Sequence, residues 1–147
     1  MSVRRRIAGA AAVEFALILP VFLMMMYSMV VYAYIFILQE SMTFAAQASA
    51  EATVKVSPVQ ADYEAALVSV AKSTATQVLG YLPLDQQNRV LGESAEKVTV
   101  TPDTVNGTVQ VQLTFDFAGL FPVLSLPLVG DVPPMPATLT ASAVAGI

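Results

Sequence analysis

Two places in this chain set reactive side chains where they could do chemistry. Ser69-Val70-Ala71-Lys72 spaces a hydroxyl and an amine one helical turn apart, the S-x-x-K arrangement of serine–lysine nucleophiles. Glu14 puts a carboxylate at the mouth of a long apolar run. Such an acid costs about 2.5–3.5 kcal/mol at mid-membrane and less near the interface, so it points to function by default. The S-x-x-K pair has no K-T-G or S-D-N partner, and the soluble part of the chain is too short for the fold that uses them. We read it as a chance match. Glu14 is the residue to explain.

The composition removes most other chemistry. The 147 residues include no His and no Cys, which excludes a histidine- or cysteine-based triad and the usual zinc, iron and copper sites. There is no Gly-rich phosphate loop of P-loop or Rossmann spacing, so no cofactor is expected. A net charge of −4 argues against nucleic acid as a partner. Asn106-Gly107-Thr108 has the N-glycosylation pattern, but a turn accounts for it. No catalytic site is expected.

The element that positions Glu14 is a membrane helix. From Phe15 to Gln39 no residue is charged. As a helix this run measures about 37 Å, enough to cross a hydrocarbon core of about 30 Å with some tilt. Tyr32 and Tyr34 lie where an interfacial aromatic belt belongs, and Pro20 is expected to bend the helix. Arg4, Arg5 and Arg6 precede the span and the first cation after it is Lys55. The positive-inside rule therefore predicts a single-pass protein with its N-terminus in the cytoplasm and residues 41–147 outside. Ala48-Ser49-Ala50 also has the small-residue pattern of a signal-peptidase site, but it lies well past an apolar run too long for a signal peptide.

A basic leader, Gly9, then Ala10-Ala11-Ala12-Val13-Glu14-Phe15 and an unbroken apolar stretch resembles the type IV pilin family. More narrowly, GAAAVEFALILP is similar to the start of TadE-like and TadG-like minor pilins of the Tad (tight adherence, Flp) system. The resemblance implies a structural assembly protein, and the chain's length points to the TadE-like rather than the longer TadG type. It further implies a leader over residues 1–9, removed after Gly9 by a prepilin peptidase to free Ala10, a transmembrane helix over 10–39 and an extracytoplasmic pilin-like domain over 40–147. Glu14 and Phe15 would act in subunit assembly. The implied partners are the peptidase, other Tad minor pilins or the major pilin, the inner-membrane assembly platform and membrane lipid. The implied location is the bacterial cytoplasmic (inner) membrane, with incorporation into a surface pilus. Two other readings stay open: an unprocessed anchor bearing an outer binding module, and a type II secretion-type pseudopilin.

The remainder reads as α+β, with a second helix and a three-stranded antiparallel sheet. Leu38, Met42, Ala45, Ser49, Ala52 and Val56 form a seam that continues the first helix beyond the membrane. Ser57-Pro58 offers an N-cap and first position for a helix reaching Leu79, with Tyr63, Leu67, Val70 and Val78 on one face. Residues 81–96 read as a polar connector with one helical turn. Asn106-Gly107 signals a two-residue type I′ hairpin, which would set Val98 opposite Phe115, Val100 opposite Leu113, Thr99 opposite Thr114 and Lys97 opposite Asp116. Pro102 marks the first strand as an edge, and Thr138–Ala145 supplies the third strand. Residues 118–136 are apolar and proline-rich. They either cover the sheet as local core, the reading favoured because prolines oppose a regular strand, or contact a partner or the membrane. The helix–hairpin–loop–strand order also resembles TadE-like proteins, less specifically than the N-terminus does.

Overall fold

The computed structural model describes residues 3–59, 62–103, 105–126 and 130–147, and the side-chain surroundings of all these except 3–9, 124 and 126. Helix α1 runs from Val3 to Thr53, and Pro20 lies inside it. After Gly9 it contains no glycine, and its leucines, methionines and alanines favour helix. Three of its hydroxyls bond back to the preceding turn: Ser28 donates to Met24 O at 2.9 Å, Ser41 to Ile37 O at 2.8 Å and Thr43 to Gln39 O at 2.8 Å. These three hydroxyls are thereby satisfied within the helix that carries them.

The chain divides into two compact units, Met1–Ile35 with Phe121–Met135, and Phe36–Leu120 with Pro136–Ile147. In the larger unit the end of α1 buries Leu38, Met42, Ala45, Ala46, Ser49, Ala50 and Thr53. The expected seam holds as far as Ser49, and its small residues allow close approach. Helix α2 (Tyr63–Val78) tightens into a 3₁₀ turn (Leu79–Tyr81), and α3 spans Leu84–Val90. The buried face of α2 and this turn is Leu67, Ala71, Ala75 and Leu79; Tyr63, Val70 and Val78 lie half-buried at its rim. Tyr81 ties the turn to α1 by donating to Ser41 Oγ at 2.5 Å.

Strands β1 (Thr99–Asp103), β2 (Thr108–Asp116) and β5 (Thr138–Gly146) form an antiparallel sheet in the order β1-β2-β5. As Pro102 predicts, β1 is an edge. Val109, Val111, Leu113 and Phe115 are fully buried, and across β5 they face Ala145, Ala143, Ala141 and Leu139. Gln110, Gln112, Thr114 and Asp116 alternate onto the other face. Helix α2 packs against β1 and α3 against β2, and Phe115 meets Phe117 edge-on at 4.9 Å.

Three local expectations are corrected. The hairpin register places Val100 opposite Val111 and Thr99 opposite Gln112, two residues from the expected pairing, so Val98–Phe115 and Lys97–Asp116 are not partners. A type I′ turn needs positive φ at both central residues, and Asn106 has none. Instead Asp103 Oδ1 accepts from the backbone N–H groups of Val105 (3.2 Å) and Asn106 (3.0 Å), and Asn106 Nδ2 donates to Oδ2 at 2.6 Å. That Asx arrangement lengthens the connection, with Gly107 supplying left-handed φ (+64°). A shift of two keeps each side chain on its face.

Second, α2 starts at Tyr63 with Asp62 as its cap, not at Pro58. Val59 is 90% exposed, so a turn built there would bury nothing to offset its ordering. Third, residues 118–136 are not free of strand structure. They hold β3 (Leu124–Leu126) and β4 (Gly130–Val132), an antiparallel hairpin in the unit that contains the first part of α1. The proline objection fails because Pro122, Pro133 and Pro134 flank the strands rather than interrupt them. Leu128 and Val129, two of the expected core residues, lie outside the described residues.

Candidate functional site: the exposed N-terminal helix

From Ala10 to Leu23 every residue of α1 is exposed, the apolar ones included. Phe15 is 63% exposed and Leu17 71%. Among the described residues nothing covers this surface on any side of the helix, so its exposure is a property of the segment and not of one face. A helix apolar on all sides requires an apolar surrounding. The run Ala10–Thr53 has a mean hydropathy of 2.2 in its most apolar window and is long enough to cross a membrane.

Glu14 interrupts this surface. It is exposed, one turn beyond Ala10 and therefore on the same side of the helix, while Phe15 points about 100° away. The structure brings Ala10, Glu14 and Phe15 together within two turns. Gly9 lies on the same helix, outside the residues whose surroundings are described. Among the described residues no cluster of acids could hold a metal ion.

Residues 9–51 match the model of a family described as TadE-like protein. Over this segment, less than a third of its length, the chain is similar to that family. The match begins at Gly9 and takes in Ala10, Glu14, Phe15, the bare apolar stretch and the start of the buried seam. This TadE-like family is structural and is associated with Tad pilus systems in general. No curated protein and no solved structure matches the chain.

From Met24 onward the helix changes character. Met24, Tyr27, Ser28, Val31, Tyr34 and Ile35 are partly or wholly buried at helical spacing, while Met25, Met26, Met29 and Val30 stay exposed. The covered side is bonded to the hairpin segment. Tyr27 donates to Pro122 O at 2.8 Å, Tyr32 donates to Pro134 O at 2.7 Å, and Tyr34 meets Phe121 edge-on at 5.3 Å. Sequence reasoning placed Tyr32 and Tyr34 near an interface and missed these partners. The available signal was an apolar, proline-rich segment with a single charge, Asp131.

The S-x-x-K pair assembles nothing. Ser69 is exposed; Lys72 lines an open cleft of about 400 Å³ with Ser73, Thr76 and Gln87, and Ser69 is not among its lining residues.

Proposed function

We propose that this TadE-like chain is a structural, non-catalytic minor pilin or pseudopilin of a Tad-type pilus. In this reading it is a single-pass protein of the bacterial inner membrane, with residues 1–9 in the cytoplasm and 40–147 outside. A prepilin peptidase cuts between Gly9 and Ala10. The observation that carries the reading is the Gly9-to-Phe15 sequence at the head of a helix with no cover, within the matched segment. The three basic residues before Gly9 orient the span and then leave with the leader.

Cleavage frees the Ala10 amine, whose ordinary pKa near 8 keeps it largely protonated at neutral pH. The Glu14 carboxylate of one subunit then pairs with the Ala10 ammonium of a neighbour. In a low-dielectric bundle an unpaired carboxylate is strongly disfavoured, so one axial offset between subunits is selected. Phe15, bare and adjacent, packs on the neighbouring helix. Partners are other Tad minor pilins or the major pilin, and the inner-membrane platform.

The deciding measurement is the intact mass and N-terminus of the protein extracted from its host's membranes. A chain beginning at Ala10 supports the reading. A chain retaining Arg4–Arg6 makes it an unprocessed anchor with an outer binding module, and one beginning at Glu51 makes it a secreted domain; both outcomes end the pilin reading.

A further inference from the structure

The three-stranded sheet of the larger unit has two outer edges, and they are built differently. Two backbone bonds bracket the ladder between β2 and β5. Ile147 N–H donates to Gly107 O at 2.8 Å, and Phe117 N–H donates to Ala137 O at 3.2 Å. Both continue the register of that ladder, and hydrogen-bonded pairs recur at every second position of an antiparallel pair. Leu139, Ala141, Ala143 and Ala145 therefore bond to β2. Thr138, Thr140, Ser142, Val144 and Gly146 turn their N–H and C=O groups away from it. These outward groups have no backbone partner among the described residues, and each of the residues that carry them is exposed.

The same parity fixes the other edge. The residues of β2 that turn toward β1 include Thr108, Gln110 and Gln112, which pair with Asp103, Thr101 and Thr99. Val100 and Pro102 thus face outward, and Pro102 has no N–H to offer there. Strand β1 is also only five residues long and ends on the charged Asp103. Short length, proline and charge are the devices that keep a strand edge from pairing. Strand β5 has none of them, running nine residues with no charge and no proline. An unguarded edge opposite a guarded one in the same sheet is a surface for strand addition.

We propose that the β5 edge docks β5 of a second copy of this chain, antiparallel, to make a closed dimer with one continuous six-stranded sheet. The strand's own sequence chooses the occupant. With the two-fold axis at Ser142, the middle of β5, every outward residue meets an outward residue. Ser142 faces its own counterpart, Thr140 faces Val144 of the copy, and Thr138 faces Gly146 of the copy. Paired hydroxyls and paired β-branched side chains are favourable cross-strand neighbours. Two copies of a chain of net charge −4 repel one another at long range, yet no residue from Val132 to Ile147 has a charged side chain, so nothing opposes contact here. A foreign strand is selected by pockets for its alternate side chains. A row of Thr, Ser, Val and Gly is too small and flat to form them. The Pro102 edge cannot extend the sheet, so association closes at two. The pairing depends on the larger unit alone, and a chain left uncut at Gly9 still forms it.

The full chain is purified in detergent, and the protein mass of wild type, Ser142→Pro and Ser142→Lys is measured at equal concentration by sedimentation. Ser142→Pro withdraws an N–H that β2 does not use, and Ser142→Lys sets two ammonium groups face to face at the axis. Wild type is expected at twice the chain mass and both variants at the single mass, with the far-ultraviolet dichroism of wild type retained. The chain contains no Cys, so one introduced thiol reports alone. A spin label on Ser142→Cys should show dipolar broadening. The same label on Val105→Cys, a 93% exposed site in the β1–β2 turn and away from the axis, should show none. A wild type at the single mass overturns the proposal. A double mass retained by both variants also overturns it, since another surface then joins the copies. Species larger than two copies overturn it as well, because the Pro102 edge would then be pairing. If Ser142→Pro loses its fold, Ser142→Lys decides, because that side chain is exposed and its replacement leaves the β2–β5 ladder intact.

Discussion

The hydroxyl of Tyr32 donates to the carbonyl oxygen of Pro134 at 2.7 Å, joining positions 102 residues apart in the chain. Tyr27 makes the equivalent bond to Pro122 at the other flank of the same hairpin. Two phenols thus tie the two flanks of β3–β4 to α1, and the tyrosines have a role beyond a generic aromatic belt. Each bond also satisfies a carbonyl that its own strand does not use.

Replacing these phenols tests the clamp. Tyr27→Phe and Tyr32→Phe each keep the ring and remove one donor, leaving a carbonyl without its partner. Both bonds are exposed, and a net hydrogen bond is worth about 0.5–1.5 kcal/mol, so each loss should stay within that range. Amide exchange in Leu124–Leu126 and Gly130–Val132 should rise in each variant and rise further in the double variant. Exchange in β2 should stay unchanged. Uniform acceleration across both units would show that the tyrosines support global folding instead.

Glu14→Gln separates charge from shape. The variant should be processed normally, because the amide is isosteric and the glycine bond is untouched, yet it should fail to enter the pilus fraction. Glu14→Asp retains the charge with a shorter reach and should recover part of the incorporation. Fractionating membranes and sheared pili from cells expressing each variant provides the measurement. Normal incorporation of Glu14→Gln would sink the ion-pair role.

Asp103 gives the larger unit a dependence on pH. Its carboxyl is held below the ordinary 3.8, first by the hydrogen bond from the Asn106 side chain and then by the backbone N–H of Asn106. A folded-state pKa below the unfolded one stabilises the fold at pH above the unfolded value, and this contribution disappears as pH falls through the folded value. The window therefore lies below about 3.8. Asp103→Ala should reduce stability at neutral pH and become indistinguishable from wild type in strong acid. Paired thermal melts at the two pH values check this, and equal deficits at both would assign the loss to packing.

What could be read in advance was what depends on local pattern. The span was visible because an uncharged run such as Phe15–Gln39 is decided by composition alone. The sheet face carrying Val109, Val111, Leu113 and Phe115 was visible because alternation survives a register slip of two. The register itself was not, since the choice between Asn106-Gly107 and Asp103 as the organiser of the turn depends on side-chain hydrogen bonds. The hairpin's place beside α1 was hidden for a different reason: Tyr27 and Pro122 are 95 residues apart, and neither type announces the other. Glu14 stood out because its surroundings make it costly.

Ser49 offers the last test. It lies fully buried on α1 among Ala45, Ala46 and Ala50, and its hydroxyl has no hydrogen-bond partner among the described residues. Ser41 and Thr43 on the same helix instead bond back to the turn below. A buried hydroxyl without a partner costs about 1–3 kcal/mol relative to one that is satisfied. Ser49→Ala removes that group at almost no loss of volume and improves helix propensity by a few tenths of a kcal/mol, so it should stabilise the larger unit by about 1 kcal/mol. Phe115→Ala, which empties a fully buried ring site, should cost about 3–5 kcal/mol. Denaturation followed by signals from the larger unit compares the two. Destabilisation by Ser49→Ala would mean that the hydroxyl holds a partner when the protein is assembled in its membrane, and Ser49 would then belong to an interface and not to the core.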